Sequence, residues 1–197
     1  MIVLIDNGHG EDTAGKRSPD GRLREYAYAR EIAKRVVEAL NREGYDAERI
    51  VTEENDISLR ERCARVNTIC RKLGTKNVLL VSIHNNAAGS GGQWLTARGF
   101  SAHVSMNASS RSKILAKCLW KEAIKLGLKG NRSVPSEYYI TQNLAMCRDT
   151  LCAAVLTENL FYDNKEDVDF LLSEEGKQLI TKVHVDGILS YIKSVKK

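Results

Sequence analysis

Residues 78–83, Val-Leu-Leu-Val-Ser-Ile, form an apolar run with almost no alternation, and the run stops at His84. A strand with one wet face alternates apolar and polar side chains, so a run of this kind has to be covered on both faces. That requirement points to a largely parallel sheet with helices packed against either side.

The remaining chain supplies such layers. Ile2 to Asp6 reads as a buried strand running into the loop Asn7-Gly8-His9-Gly10. From Leu23 to Asn41 the pattern turns helical, with Tyr26, Ala29, Ile32, Ala33, Val36, Val37 and Leu40 on one stripe and Gly44 as the stop. Tyr45 to Thr52 reads as a second strand. Ser58 and Glu61 then form a capping box that opens a helix expected to carry Leu59, Cys63, Val66, Ile69, Cys70 and Leu73 inward. Asn77 to His84 is the third strand. Phe100, Ala102 and Val104 alternate with Ser101, His103 and Ser105, which suggests a strand nearer an edge; Ser109 to Leu128 is helical again. Cys152 to Thr157 reads as a further strand, and roughly Lys165 to Lys197 as helix. The expectation is one α/β domain over residues 1–197: a mostly parallel or mixed twisted sheet of five or six strands with helices on both faces, and no separate binding module.

Composition narrows the function classes. With 43% hydrophobic and 28% charged residues, 14 Gly and only 2 Pro, the chain is neither disordered nor low in complexity. A net charge of +5 is too small to call for nucleic acid. Lys113, Lys117, Lys121, Lys125 and Lys129 recur every four residues along the third helix; a solvated face is the plainer reading, and attraction to an anionic polymer the functional one. Five cysteines without a C-x-x-C pair read as reduced core thiols. No apolar stretch approaches the roughly 18 residues of a membrane span. Met1 is followed at once by Ile2-Val3-Leu4-Ile5, without a basic lead or a cleavage site, so no export signal is expected.

Three of the apolar strands reach an ionisable residue at or just past their ends: His9 after the first, His84 after the third, and Glu158 after Ala153 to Leu156. If these strands are parallel, the three residues share the sheet edge where open α/β folds bind ligands. Glu25 joins them because the buried stripe of the first helix, stepped back from Ala29, Ile32 and Val36, lands on it. An ionised carboxylate there needs a cation or strong donors. Two histidines and a glutamate form the set that holds catalytic zinc with its fourth position open, which leaves Glu158 as the carboxylate that is not a ligand. His103 and His184 lack ligand-like neighbours and are expected to bind no metal.

The motifs Ile5-Asp6-Asn7-Gly8-His9-Gly10, Glu25, Leu59-Arg60-Glu61-Arg62 with Asn67, Ser82-Ile83-His84-Asn85-Asn86-Ala87 and Val155-Leu156-Thr157-Glu158-Asn159-Leu160-Phe161 resemble, in order and spacing, those of the zinc-dependent N-acetylmuramoyl-L-alanine amidases of type 3. The likeness runs along nearly the whole chain and continues through Asn164-Lys165-Glu166-Asp167. It departs at Asn7, where that family usually has proline, at Asn85, where alanine is common, and at Asn159-Leu160, where Thr-Gly usually follows the glutamate. The resemblance implies one zinc ion on His9, Glu25 and His84, Glu158 as the proton-transferring glutamate, and peptidoglycan or a muropeptide as substrate. The bond cut would be the amide between N-acetylmuramic acid and L-alanine. Donors for the oxyanion would come from Asn85, Asn86 or Asn159. A zinc peptidase or deacylase on another amide would use the same four residues, whereas a wall-binding or regulatory domain would have no need of Glu158. The wall lies outside the cytoplasm, so the chain is a mature or trimmed form, a phage-type lysis enzyme held inside the cell until release, or an enzyme of wall fragments inside the cell; reduced cysteines with Met1 abutting the first strand favour the lysis enzyme.

Overall fold

The computed structural model describes residues 1–90 and 92–195; Gly91 and the last two lysines of the expected C-terminal helix lie outside them. A six-stranded sheet runs in the order β2-β1-β3-β6-β4-β5. Its strands are β1 (Ile2–Asn7), β2 (Asp46–Arg49), β3 (Val78–Asn86), β4 (Ser101–Val104), β5 (Ile140–Thr141) and β6 (Ala153–Phe161). The helices are α1 (Glu25–Arg42), α2 (Leu59–Leu73), α3 (Ser110–Lys125), α4 (Ala145–Arg148), α5 (Lys165–Leu172) and α6 (Glu174–Val195). β1, β2, β3 and β6 are parallel, and β4 runs antiparallel to β6.

The unbroken apolar strands split their side chains between two cores. Val3, Ile5, Leu79, Val81, Ile83 and Val155 face α1, α3, α5 and α6, while Ile2, Leu4, Val78, Leu80 and Ala154 face α2 and α4. The two-sided covering expected from residues 78–83 is therefore present. Because β1, β3 and β6 are adjacent and parallel, their carboxyl ends form one edge.

Several elements differ from expectation. Leu59 and Leu73 are exposed, because α2 buries a narrow stripe of Arg62, Cys63, Val66 and Cys70 and its two ends overhang the smaller core. Ser58 caps α2 by accepting from the Glu61 N–H, but Glu61 spends its carboxylate on Arg65. β4 buries both faces: the unanticipated β5 pairs along its outer edge, and its polar side is covered by Gln142 and α4, with His103 between Ser101 and Gln142 and Cys147 against the His103 carbonyl. β6 continues three residues past Glu158, so that residue lies within the strand rather than after it. The last helical stretch is broken at Ser173, whose hydroxyl accepts from the Gly176 N–H; a Cβ at position 176 would stand 1.9 Å from the Phe170 carbonyl oxygen, so glycine is required at this break. All five cysteines are free thiols.

Candidate metal centre and active site

β1 ends at Asn7, and the Gly8 N–H makes a last bond to the Ile83 carbonyl before the chain leaves the sheet. His9 takes a left-handed backbone, φ 63°, which costs a residue with a Cβ about 1–2 kcal/mol. The turn is held by two buried arginines. Arg62 donates to the Asn7, His9 and Ile57 carbonyls and to Asp6 Oδ1 at 2.7 Å; Arg30 donates to the carbonyls of His9, Glu53 and Glu54. Gly8 is needed for a different reason: a Cβ there would sit 2.2 Å from His84 Cε1.

Glu25, at the first turn of α1, is 1% exposed and lies between the two histidines. Its Oε2 is 3.4 Å from His9 Nε2; its Oε1 is 3.1 Å from His84 Nδ1 and accepts the Asn85 N–H at 3.0 Å. The donor atoms of His9, Glu25 and His84 all lie within 4.8 Å of one another. Burial alone would raise the Glu25 carboxyl, but the hydrogen bond from His84 and the nearby His9 ring outweigh it and hold this group well below the usual carboxylate range. The same contact raises the His84 ring against its own burial. Glu25 Oε2 is buried without a hydrogen-bond partner, so the trio presents two ring nitrogens and an unsatisfied anionic oxygen to one point. That donor set fits a zinc-type cation.

Glu158 stands directly opposite His84 in the β3–β6 register and is outside the trio. Burial lifts its carboxyl to about 7; His84 pulls the other way and the charge of Glu25 adds to the rise. Its Oε2 is also buried and unpartnered. A cavity of about 390 Å³ opens beside His9 and His84, walled by Ile57 and Leu59 with Arg62 at its floor.

All four residues singled out in the sequence thus meet at one edge. His103 and His184 do not: each is buried and hydrogen-bonded within the fold, and burial lowers each ring to about 4. Of the asparagines considered as oxyanion donors, Asn159 is committed elsewhere. Its side-chain amide donates to the His84 carbonyl and to Thr157 Oγ1, which uses both hydrogens. Arg62, Arg30 and Asp6 were not singled out as site residues. The signal was present, since Arg62 and Arg30 each sit on the buried stripe of a helix, where a cation is out of place without carbonyls to bind.

Among known proteins, an endolysin of Bacillus phage SPP1 is 27% identical over 198 residues, covering all of this chain and 68% of the endolysin. A probable cell wall amidase, LytH, of Staphylococcus epidermidis is 25% identical over 98% of this chain and 58% of its own length. The N-acetylmuramoyl-L-alanine amidase of Clostridium difficile 630 superposes with a TM-score of 0.81 at 26% identity, covering 98% of this chain and 97% of that one. The Mycobacterium smegmatis enzyme Ami1 shares the fold, with a TM-score of 0.85 at 21% identity over 98% and 97% of the two chains. The family model described as N-acetylmuramoyl-L-alanine amidase matches residues 3–190, and the chain belongs to that family.

Proposed function

We propose that residues 1–197 act as one catalytic domain that hydrolyses the amide between N-acetylmuramic acid and L-alanine in peptidoglycan, with His9, Glu25 and His84 holding zinc. The observation that carries this reading is the meeting of two histidine nitrogens and a buried carboxylate within 4.8 Å, beside a second, unpartnered carboxylate on the neighbouring strand. When bound, zinc would polarise the scissile carbonyl and acidify a water. Glu158 supplies the proton transfer. A carboxyl poised near 7, with its Oε2 unpartnered among the described residues, can accept a proton from the attacking water and release it to the departing alanine nitrogen. Glu25 cannot take that role, because its hydrogen bonds keep it ionised. The His9 carbonyl, tied to Arg62 and Arg30, fixes the ring of that residue relative to His84.

The SPP1 endolysin among the relatives supports a phage-type lysis role at the cell wall. No helix among the described residues is long and apolar enough to cross a membrane. Digestion of purified peptidoglycan tests the reading by mass spectrometry of the products. Stem peptides with a free L-alanine amine and intact glycan strands are expected; cleavage inside the stem peptide, or no cleavage by metal-loaded protein, would sink it. Glu158→Gln should keep its zinc and lose about 10²–10⁴-fold in rate.

A further inference from the structure

The β3–β6 ladder is regular from Leu79↔Ala153 to His84↔Glu158 and then slips, the next pair being Asn86↔Phe161. Two steps along β3 match three along β6, so the extra residue lies on β6 just after Glu158. Leu160, within this bulge, takes a left-handed φ of 64°. The pairing is therefore interrupted immediately beyond the two site residues that face each other.

Two side-chain amides cross the gap. Asn85 Nδ2 donates to the Asn159 carbonyl at 2.6 Å, and Asn159 Nδ2 donates to the His84 carbonyl at 2.9 Å. Asn85 also gives its backbone N–H to Glu25 Oε1, the same oxygen that lies 3.1 Å from His84 Nδ1. The four residues Glu25, Asn85, Asn159 and His84 thus close a ring of contacts spanning α1, β3 and β6. Both asparagines are buried, and the side-chain oxygen of each has no partner. Turning either amide over would set oxygen against a carbonyl oxygen, so the donors face the only way they can. An apolar residue would avoid the unpartnered oxygen; what asparagine adds at each place is a donor on a carbonyl at the bulge.

We propose that Asn85 and Asn159 are positioning residues whose crossed amides hold His84 against Glu158 and keep the Asn85 N–H on Glu25. Neither touches the reacting atoms through these bonds. They act through the metal-holding histidine and glutamate and through the strand that carries Glu158. The inference rests on the metal reading of His9, Glu25 and His84.

The test compares the parent with Asn159→Leu and Asn85→Ala in three measurements. These are zinc affinity by chelator competition, the visible spectrum of the cobalt(II)-loaded protein, and kcat and KM on a soluble muropeptide. With the far-ultraviolet circular dichroism unchanged, each variant is expected to lose about 10–100-fold in kcat or zinc affinity, to shift the cobalt bands, and to keep KM within about threefold. A shift of the cobalt bands in either variant while it stays folded supports the proposal. Parent values of affinity, spectrum and kcat in both variants overturn it, and so does a lowered melting temperature with those three unchanged, which would make the amides merely structural. Should Asn159→Leu not fold, Asn85→Ala decides alone. A parent that binds neither zinc nor cobalt overturns the metal reading and this inference with it, and that failure is visible before any variant is made.

Discussion

Consider Arg62→Met. Arg62 is 2% exposed and pairs with Asp6, itself 1% exposed, at 2.7 Å; the same guanidinium serves the carbonyls of Ile57, Asn7 and His9. Truncation leaves Asp6 with the Ser82 hydroxyl as its remaining side-chain partner. Removing one partner of a buried pair costs about 3–5 kcal/mol, and each carbonyl stripped of a donor adds about 1 kcal/mol. Burying the methionine side chain returns about 1–2 kcal/mol. The net loss is about 4–7 kcal/mol, a large share of the roughly 5–15 kcal/mol that holds a domain together, and about 10–25 °C in melting temperature at this chain length. Urea unfolding measures it. Adding Asp6→Asn removes the stranded charge, so the double variant should be no less stable than Arg62→Met alone. A loss below about 1 kcal/mol in the single variant, or a further loss in the double, would refute the account of Arg62 as the cation that neutralises the inner wall of the His9 turn.

Chelation should lower the melting temperature and zinc should restore it, since a ligand bound only by the folded chain stabilises it; His84→Ala should show no zinc-dependent change, and an equal response in that variant would remove His84 from the site. Gly8→Ala would drive a methyl group into the His84 ring, so zinc affinity should fall at least about tenfold with the secondary structure retained, and parent-like binding would contradict the packing seen there. His184 is neutral in the folded chain, lowered by burial from 6.5 to about 4, and takes up a proton on unfolding. Its stabilisation is complete above the unfolded value and is lost as pH falls from about 6.5 toward about 4, a change of about 2 kcal/mol between pH 7 and 5. His184→Gln should flatten the pH dependence of unfolding by that amount, and an unchanged slope would show that the ring takes up its proton as readily inside the fold as in the unfolded chain.

Much of this arrangement was legible because it follows from local periodicity. An apolar run without alternation demanded cover on both faces, and parallel strands then brought His9, His84 and Glu158 to one edge. Glu25 was found by continuing a helical stripe to a residue that had no reason to be buried unless something met its charge. What escaped was set by contacts distant in sequence. Arg62 lies 56 residues from Asp6, and only the folded chain shows that its place on α2 is a polar plug rather than a misplaced cation. The alternation in β4 placed it nearer a sheet edge, where the order β6-β4-β5 puts it, but nothing local foretold that Gln142 and α4 would cover its polar side. The bulge after Glu158 has no glycine to announce it, since Leu160 accepts the left-handed backbone.

The strand order also bears on how the protein comes into being. β6 occupies the middle of the sheet, between β3 and β4, yet it is the last strand to leave the ribosome. A nascent chain ending before residue 150 can gather His9, Glu25 and His84, but it lacks Glu158 and exposes the long apolar edge of β3, the kind of edge that pairs with other chains. Completion of the Glu158–His84 pairing and cover for the β3 edge therefore arrive together with the insertion of one late strand. That closure waits for pairing between segments distant in sequence, a topology that slows folding and leaves the β3 edge open to other chains in the interval.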